Sequence, residues 1–358
     1  MFKYFFILIS IITFSHLGHS FPETARHGYL SCSTCHYSPS GRGLLTPYGK
    51  TLSNELYSYW KSENKNDSLE SETPWWRVGG QVRLMQLIQN SKTLEKGRFF
   101  PMQAELEGAI DKESWALVAS LGAWRPMESE YKDLKPYFRN HYLLYRPNEN
   151  WVLRTGHFRI SHGLGLPDHI TLANQALGWT HSHETYNIEL SYLDENNVFQ
   201  GSVIAPSELL VTKEILKGGS LSLERLFQSN SKLGLNLSSF VRNKIPETQI
   251  NLHSVNSISE KSFLQAELAF RTIQSLQPQT QWALFTRYSY QMAFAIRPFI
   301  QWEQAQLNES LNLKAERFYI GTEWFPVNSF DLFILAGQET QKSSNPIQTF
   351  TAIGHYYF

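Results

Sequence analysis

The feature that most constrains the fold of this chain is a two-residue alternation of apolar and polar side chains. It begins near Pro74 and continues to the C-terminus. In residues 260–272, for example, Leu264, Leu268 and Phe270 alternate with polar or small side chains. Successive side chains of a β-strand point to opposite faces, so the pattern predicts strands with one apolar and one polar face.

Roughly 16 segments of the 358-residue chain show this pattern, and most have about ten residues or more. That length lets a tilted strand cross the hydrocarbon of a membrane. The segments lie at 76–90, 99–111, 114–126, 135–146, 150–160, 184–193, 197–205, 219–228, 231–241, 248–256, 260–272, 279–290, 291–304, 314–325, 329–341 and 346–358. Short turns such as 147–150 and 194–197 alternate with longer connectors, of which 161–183 is the longest.

Short turns on one side and long loops on the other are typical of outer-membrane barrels. We therefore predict an all-β fold: a transmembrane antiparallel β-barrel of roughly 16 strands over residues 75–358. A soluble β-sandwich would also alternate, but the strand number, the lack of a break into two sheets and the aromatic ending 356–358 favour the barrel. An even strand count places both termini in the periplasm.

The first twenty residues predict export. Lys3 is followed by an apolar run, Tyr4 to Phe14, and then by small residues at Gly18 and Ser20, as in a secretory signal peptide. The alternative, a membrane anchor, needs about 20 apolar residues. We predict a signal peptide over 1–20, an outer-membrane location with lipid around the barrel, and no nucleic-acid partner, because the net charge is zero.

The only two cysteines of the chain lie in the pentapeptide Cys32-Ser33-Thr34-Cys35-His36. Two thiols at this spacing can each add to a haem vinyl group, and the histidine that follows can ligate the iron. A structural disulfide, a redox dithiol and a zinc site are the alternatives. A zinc site would need further ligands, and a thioredoxin-like dithiol would need a βαβ context. The motif predicts one covalent haem c on Cys32 and Cys35, with His36 as an iron ligand.

Residues 21–74 form a small, partly helical haem segment in this interpretation. Thr46 can cap a helix that begins at Pro47. An apolar stripe follows at helical spacing, formed by Tyr48, Leu52, Leu56 and Tyr59, with Trp60 beside it. This stripe either contacts the haem or packs as an ordinary core. Residues 62–71 are polar and predict a linker.

The second iron ligand is less well defined by the sequence. Methionine is disfavoured, because after Met1 the next methionine is Met85, in the first strand. We therefore expect either an open site or ligation by His27, which is the only other histidine in the haem segment.

The long connector 161–183 and its flanks carry a cluster of histidines and carboxylates. They are His157, His162, His169, His181, His183, Asp168 and Glu184. The cluster favours either a metal or electron-acceptor site, or a polar loop that folds into the lumen and narrows it.

The motif Cys32 to His36, followed by Pro39, Gly41, Gly43 and Tyr48-Gly49 and then by a barrel, resembles monohaem c-type cytochrome segments fused to Gram-negative outer-membrane β-barrels. The resemblance implies haem on Cys32 and Cys35 with His36 as axial ligand. Arg42 stands where a third glycine is expected.

Two functions are compatible with these features. The first is a porin-like outer-membrane barrel with a periplasmic covalent haem that serves electron transfer, with a periplasmic or extracellular cytochrome as partner. The second is a diffusion porin whose haem segment is a plug, a sensor or an anchor for a partner. The sequence contains no other catalytic constellation, so we expect no enzymatic activity.

Overall fold

The computed structural model describes residues 32–41, 43–49, 52, 75–92, 95–124, 135–166, 171–179, 183–209, 212–227, 231–292, 295–308, 313–327, 329–341 and 345–357. The signal peptide predicted at 1–20, His27 and the linker predicted at 62–71 lie outside these residues.

Sixteen strands, β1 to β16, follow one another along the chain. Their bounds are Trp76–Asn90, Glu95–Lys112, Trp115–Trp124, Lys135–Tyr145, Trp151–Phe158, Thr185–Leu193, Asn197–Glu208, Ile215–Leu226, Lys232–Arg242, Ile245–Ser259, Ser262–Ile273, Gln279–Tyr290, Ile296–Asn308, Leu313–Val327, Phe330–Gln341 and Ile347–Tyr357. A short helix, α1, spans Leu172–Ala176, and a 3-10 turn spans Cys32–Thr34. No helix among the described residues is both long enough and apolar enough to cross a membrane.

The strands form one closed antiparallel barrel. Each strand pairs with its neighbours in the sequence, and β16 closes the ring by pairing with β1, from Gln81 opposite Tyr357 to Asn90 opposite Gln348. Closure leaves no strand edge with unpaired backbone groups, which is what a sheet in hydrocarbon requires. The predicted fold class is confirmed.

The polar faces of the strands point into the barrel. On β11, Gln265 and Glu267 are 4% and 6% exposed, whereas Phe270 is 40% exposed. On β9, Asn236 is buried and Leu237 is exposed. A soluble protein buries its apolar side chains instead, so this inverted pattern is that of a barrel with a polar lumen and an apolar outer band.

The two ends of the barrel differ. We call the end at which β1 begins and β16 ends the short-turn end; its connections include 113–114, 260–261 and 328–329. The longest connections, 125–134 and 159–184, lie at the opposite end.

Candidate functional site

The two cysteines and the histidine of the motif lie on one tight turn. The backbone N–H groups of Cys35 and His36 donate to the carbonyl oxygen of Cys32 at 3.2 and 2.9 Å. All three residues line the same cavity inside the barrel. The structure thus brings together the three residues that the sequence singled out.

The chain then folds back on the motif. His36 forms an antiparallel bridge with Leu45, and the N–H of Thr46 donates to the carbonyl oxygen of Cys35 at 2.9 Å. Gly41 and Gly43 make the reversal with φ angles of 72° and 69°, a region that glycine adopts without steric cost. The chain thus turns at these two glycines, and Arg42 lies outside the described residues.

A helical turn begins where the sequence predicts it. The N–H of Gly49 donates to the Thr46 hydroxyl oxygen at 3.0 Å, the bond of an N-cap. A Cβ at Gly49 would lie 2.2 Å from the Cys35 carbonyl oxygen, so this turn approaches the motif too closely for a side chain. Leu52, one turn on, is buried and lines the cavity. Leu56, Tyr59 and Trp60 lie outside the described residues.

A buried arginine of the barrel wall holds the segment in the lumen. The guanidinium of Arg154 on β5 donates to the hydroxyl oxygens of Ser38 and Ser40 at 2.7 and 3.1 Å. It also pairs with Glu189 on β6 at 2.7 Å. Arg154 and Glu189 are almost fully buried, so the two hydroxyls help to satisfy a charge pair that is shielded from bulk water.

Other contacts place Cys32 and Tyr37 near the short-turn end. The guanidinium carbon of Arg146, which directly follows β4, lies 5.9 Å from the ring centroid of Tyr37. Cys32 interacts electrostatically with Lys232, the first residue of β9. The described residues of the segment therefore lie inside the barrel.

The motif faces a cavity of about 750 Å³. Ligand pockets commonly measure about 300–1,000 Å³, so a cofactor-sized molecule is within its range. Loop residues Ser161–Leu166 line it together with the barrel wall. The wall includes Arg139, whose guanidinium bridges Glu105 at 3.2 Å and Glu184 at 2.8 Å.

The histidine of the motif is held in the form that binds a metal. His36 Nδ1 lies 3.2 Å from the carbonyl oxygen of Gly43. Since a carbonyl only accepts hydrogen bonds, Nδ1 must carry the proton, and Nε2 keeps its lone pair for a metal.

The environment of the thiols disfavours redox exchange. Cys32 and Cys35 line the cavity and are not joined in a disulfide. Burial, and next the nearby Cys32, raises the pKa of the Cys35 thiol to about 11. Redox-active dithiols depend instead on a lowered thiol pKa.

Arg83 and Arg159 line the cavity as well and offer cations for the two carboxylates of a haem.

The long β5–β6 connection enters the lumen. The N–H of Gly163 donates to Asn236 Oδ1 at 2.9 Å, and the N–H of Leu164 donates to Glu267 Oε2 at 3.2 Å. Beyond α1, the carbonyl oxygen of Leu177 accepts from Gln249 Nε2 at 2.9 Å. These partners lie on β9, β10 and β11, so the loop crosses to another part of the wall, and the predicted inward folding is confirmed.

The described histidines of this region do not form a metal-ligand cluster. His157 alternates with the buried Phe158 and faces outward, where its ring stacks on His141 at 5.1 Å. His162 and His183 contact Trp179, with ring centroids 4.6 and 5.1 Å away. Within the described residues, no three His, Cys, Asp or Glu side chains are grouped as metal ligands. His169, His181 and Asp168 lie outside those residues.

Several residues of the site were missed by sequence reasoning. Arg154 and Glu189 sit among many polar residues that alternate along the strands, and the sequence does not distinguish them. Asp331 and His355, which also line the cavity, lie on β15 and β16, far from the motif along the chain. Only tertiary structure reveals these partners.

His183 predicts a dependence of stability on pH. Burial, and next Arg242, holds the pKa of His183 well below its usual range, with Arg159, His162 and Arg271 acting in the same direction. Arg242 Nη1 lies 3.3 Å from His183 Nε2, which fits a neutral ring. The unfolded chain takes up a proton near pH 6.5, so stability should fall below that pH by up to about 1.4 kcal/mol per unit. The thermal unfolding temperature in detergent, compared at about pH 7 and about pH 5, measures this loss of stability.

The matched variant is His183→Gln, which keeps a hydrogen-bond acceptor for Arg242 but does not titrate. On acidification, the thermal unfolding temperature of this variant should fall by less than that of the wild-type chain. An equal loss in both proteins would contradict this role of His183.

No protein-family model and no curated protein matches this chain. Among solved structures, the chain is similar to outer-membrane expressed OmpT of Vibrio cholerae, with 11% identity, 80% of this chain and 99% of that chain covered, and a TM-score of 0.61. It is similar to the outer membrane channel DcaP of Acinetobacter baumannii, with 12% identity, 79% and 97% covered, and a TM-score of 0.55. An anion-selective porin from Comamonas acidovorans aligns with 10% identity, 79% and 99% covered, and a TM-score of 0.54.

At such low sequence identities, the similarity to these solved structures establishes the fold alone. The chain has the closed 16-stranded antiparallel architecture of porin-like outer-membrane barrels.

Proposed function

We propose that this chain is an outer-membrane barrel that holds one covalently attached haem c in its lumen and serves electron transfer. One observation carries the proposal: Cys32, Cys35 and His36 line one cavity inside a closed barrel, and the Gly43 carbonyl holds His36 in its metal-binding tautomer. The porin-like fold and the predicted signal peptide support the outer membrane as its location. The apolar outer face supports lipid as its surroundings.

The residues present would each have a distinct role toward the haem. Cys32 and Cys35 would hold it through thioether bonds, and His36 would ligate the iron. A bound haem would supply a one-electron redox centre. Arg154 keeps the motif segment against the wall through Ser38 and Ser40.

Electron transfer across the membrane would require a partner. The short-turn end corresponds to the periplasmic end of outer-membrane barrels, and the motif lies near it. The hydrocarbon is about 30 Å thick, so a single centre near one end cannot span it. A periplasmic or extracellular cytochrome is the partner that this chemistry fits.

The second candidate is a diffusion porin in which the motif segment is a plug, a sensor or an anchor. It is favoured by a specific observation: both the motif segment and the β5–β6 loop contact the lumen wall, and a barrel of about 16 strands can otherwise contain an aqueous channel. Among the similar structures, DcaP is described as an outer membrane channel and the Comamonas protein as an anion-selective porin. We propose no enzymatic activity for this chain.

Purification of the full chain from a host with working cytochrome c maturation tests the proposal. The protein should fractionate with the outer membrane, show heat-modifiable mobility, and give a reduced-minus-oxidised haem spectrum with about one haem per chain. Recovery of a correctly folded, haem-free barrel from that host would leave the diffusion porin as the function. Recovery as a soluble periplasmic monomer would exclude both functions.

A further inference from the structure

A second histidine lines the cavity that the motif faces. His355 lies on β16, two residues before the end of that strand, and therefore near the short-turn end. The backbone places it opposite Asp331 on β15 and opposite Arg83 on β1. β16 pairs with β1 on one side and with β15 on the other, so the barrel fixes the backbone position of His355.

The ring of His355 is oriented by a carboxylate. His355 Nδ1 lies 2.9 Å from Asp331 Oδ2, and the ring of Tyr357 lies 5.3 Å away. A carboxylate that accepts from Nδ1 stabilises the proton there. Metal-binding histidines commonly donate their other ring nitrogen to a carboxylate in this way, which fixes the tautomer and raises the basicity of the ligating nitrogen.

The other ring nitrogen has no protein partner in the described part of the chain. His355 Nε2 is shielded from solvent and has no hydrogen bond to any described residue. Buried polar atoms are rarely left unsatisfied, and each exception calls for an explanation such as an ion. A ligand of the cavity that accepts a nitrogen lone pair would satisfy this atom.

We infer that His355 is the second axial ligand of the haem iron, opposite His36, and that Asp331 is its positioning residue. The inference rests on the proposed function, since it assigns a ligand to the haem attached at Cys32 and Cys35. It replaces the expected role of His27. His162, the other histidine that lines the cavity outside the motif among the described residues, lies on the β5–β6 loop and stacks on Trp179, whereas His355 is carried by a barrel strand and is bonded to a carboxylate.

Optical and electron paramagnetic resonance spectra of the purified haem protein test the assignment. Two imidazole ligands give low-spin haem, so His355→Ala should convert the wild-type low-spin spectrum to a high-spin one, and added imidazole should restore it. His27→Ala and His162→Ala are the matched controls and should remain low-spin. Asp331→Ala should give a mixture of the two spin states, because His355 loses the bond that orients its ring.

A second variant separates ligation from folding. His355→Met replaces one ligand with a thioether of similar bulk, so the haem should stay low-spin while its midpoint potential rises, as His/Met ligation raises potentials. A low-spin spectrum in His355→Ala, or a high-spin one in His27→Ala or His162→Ala, would overturn the inference while leaving the proposed function intact. A folded wild-type protein without covalent haem would overturn both.

Discussion

The double variant Cys32→Ala/Cys35→Ala is expected to lose its haem completely on denaturing electrophoresis, whereas the wild-type chain should keep it. Thioether bonds survive denaturation, but a haem held only by iron ligation dissociates when the protein unfolds. Each single variant retains one thiol and should keep less haem than the wild type. Haem staining of the gel, normalised to the amount of protein, measures the loss.

Ser33→Ala is the matched control, because it alters the same turn without removing a thiol. It should stain like the wild type. The heat-modifiable mobility of every variant should be unchanged, since the barrel closes through backbone pairing of β1 with β16 and not through the motif. Equal staining of the double variant and the wild type would exclude covalent attachment at these two cysteines.

The barrel could be predicted from the sequence because it depends on a local pattern. Polar and apolar residues alternate along every strand, and tight turns interrupt the pattern, so all sixteen strands were located. The bounds were less accurate at the starts of some strands. β8 was expected to begin at 219 but begins at Ile215; Gly218 lies within the strand, where an added Cβ would lie 2.2 Å from the Ser239 carbonyl oxygen.

The start of β10 shows the same limit of local reasoning. It was expected at 248, but Asn243 and Lys244 form a two-residue turn with φ angles of 47° and 70°, and β10 begins at Ile245. Asparagine is known to tolerate this conformation. A lysine there carries no such signal, so the tight hairpin was not recognised.

The site was predictable only within the motif. Cys32, Cys35 and His36 were identified because their spacing alone carries the chemistry, and the cap at Thr46 follows a similarly local rule. The position of the motif in the lumen depends on Arg154, which lies 116 positions from Ser38 in sequence. A single sequence gives no signal for such a pair, since many polar side chains of the inner face could have been the partner.

Deleting residues 21–70 while keeping the signal peptide should raise the single-channel conductance in planar bilayers several-fold. The reason is that the described residues of this segment contact the lumen wall near the short-turn end, where they obstruct a barrel otherwise wide enough for an aqueous channel. The same deletion should abolish reduction of an external acceptor by proteoliposomes loaded with reductant, because it removes Cys32 and Cys35, the proposed haem-attachment residues. Both quantities are measured on the same preparations.

Ser38→Ala/Ser40→Ala provides the matched control, since it removes both hydroxyls that bind Arg154 while leaving Arg154 paired with Glu189. It loosens the segment but keeps Cys32, Cys35 and His36, so conductance should rise less than in the deletion and electron flux should persist. Loss of flux in the deletion with unchanged conductance would favour a conduit whose segment does not block the channel. A rise in conductance with no flux in either the wild type or the deletion would favour a plugged porin. If neither quantity changed, the segment would neither obstruct the channel nor carry electrons, even though its two serines bind the buried Arg154.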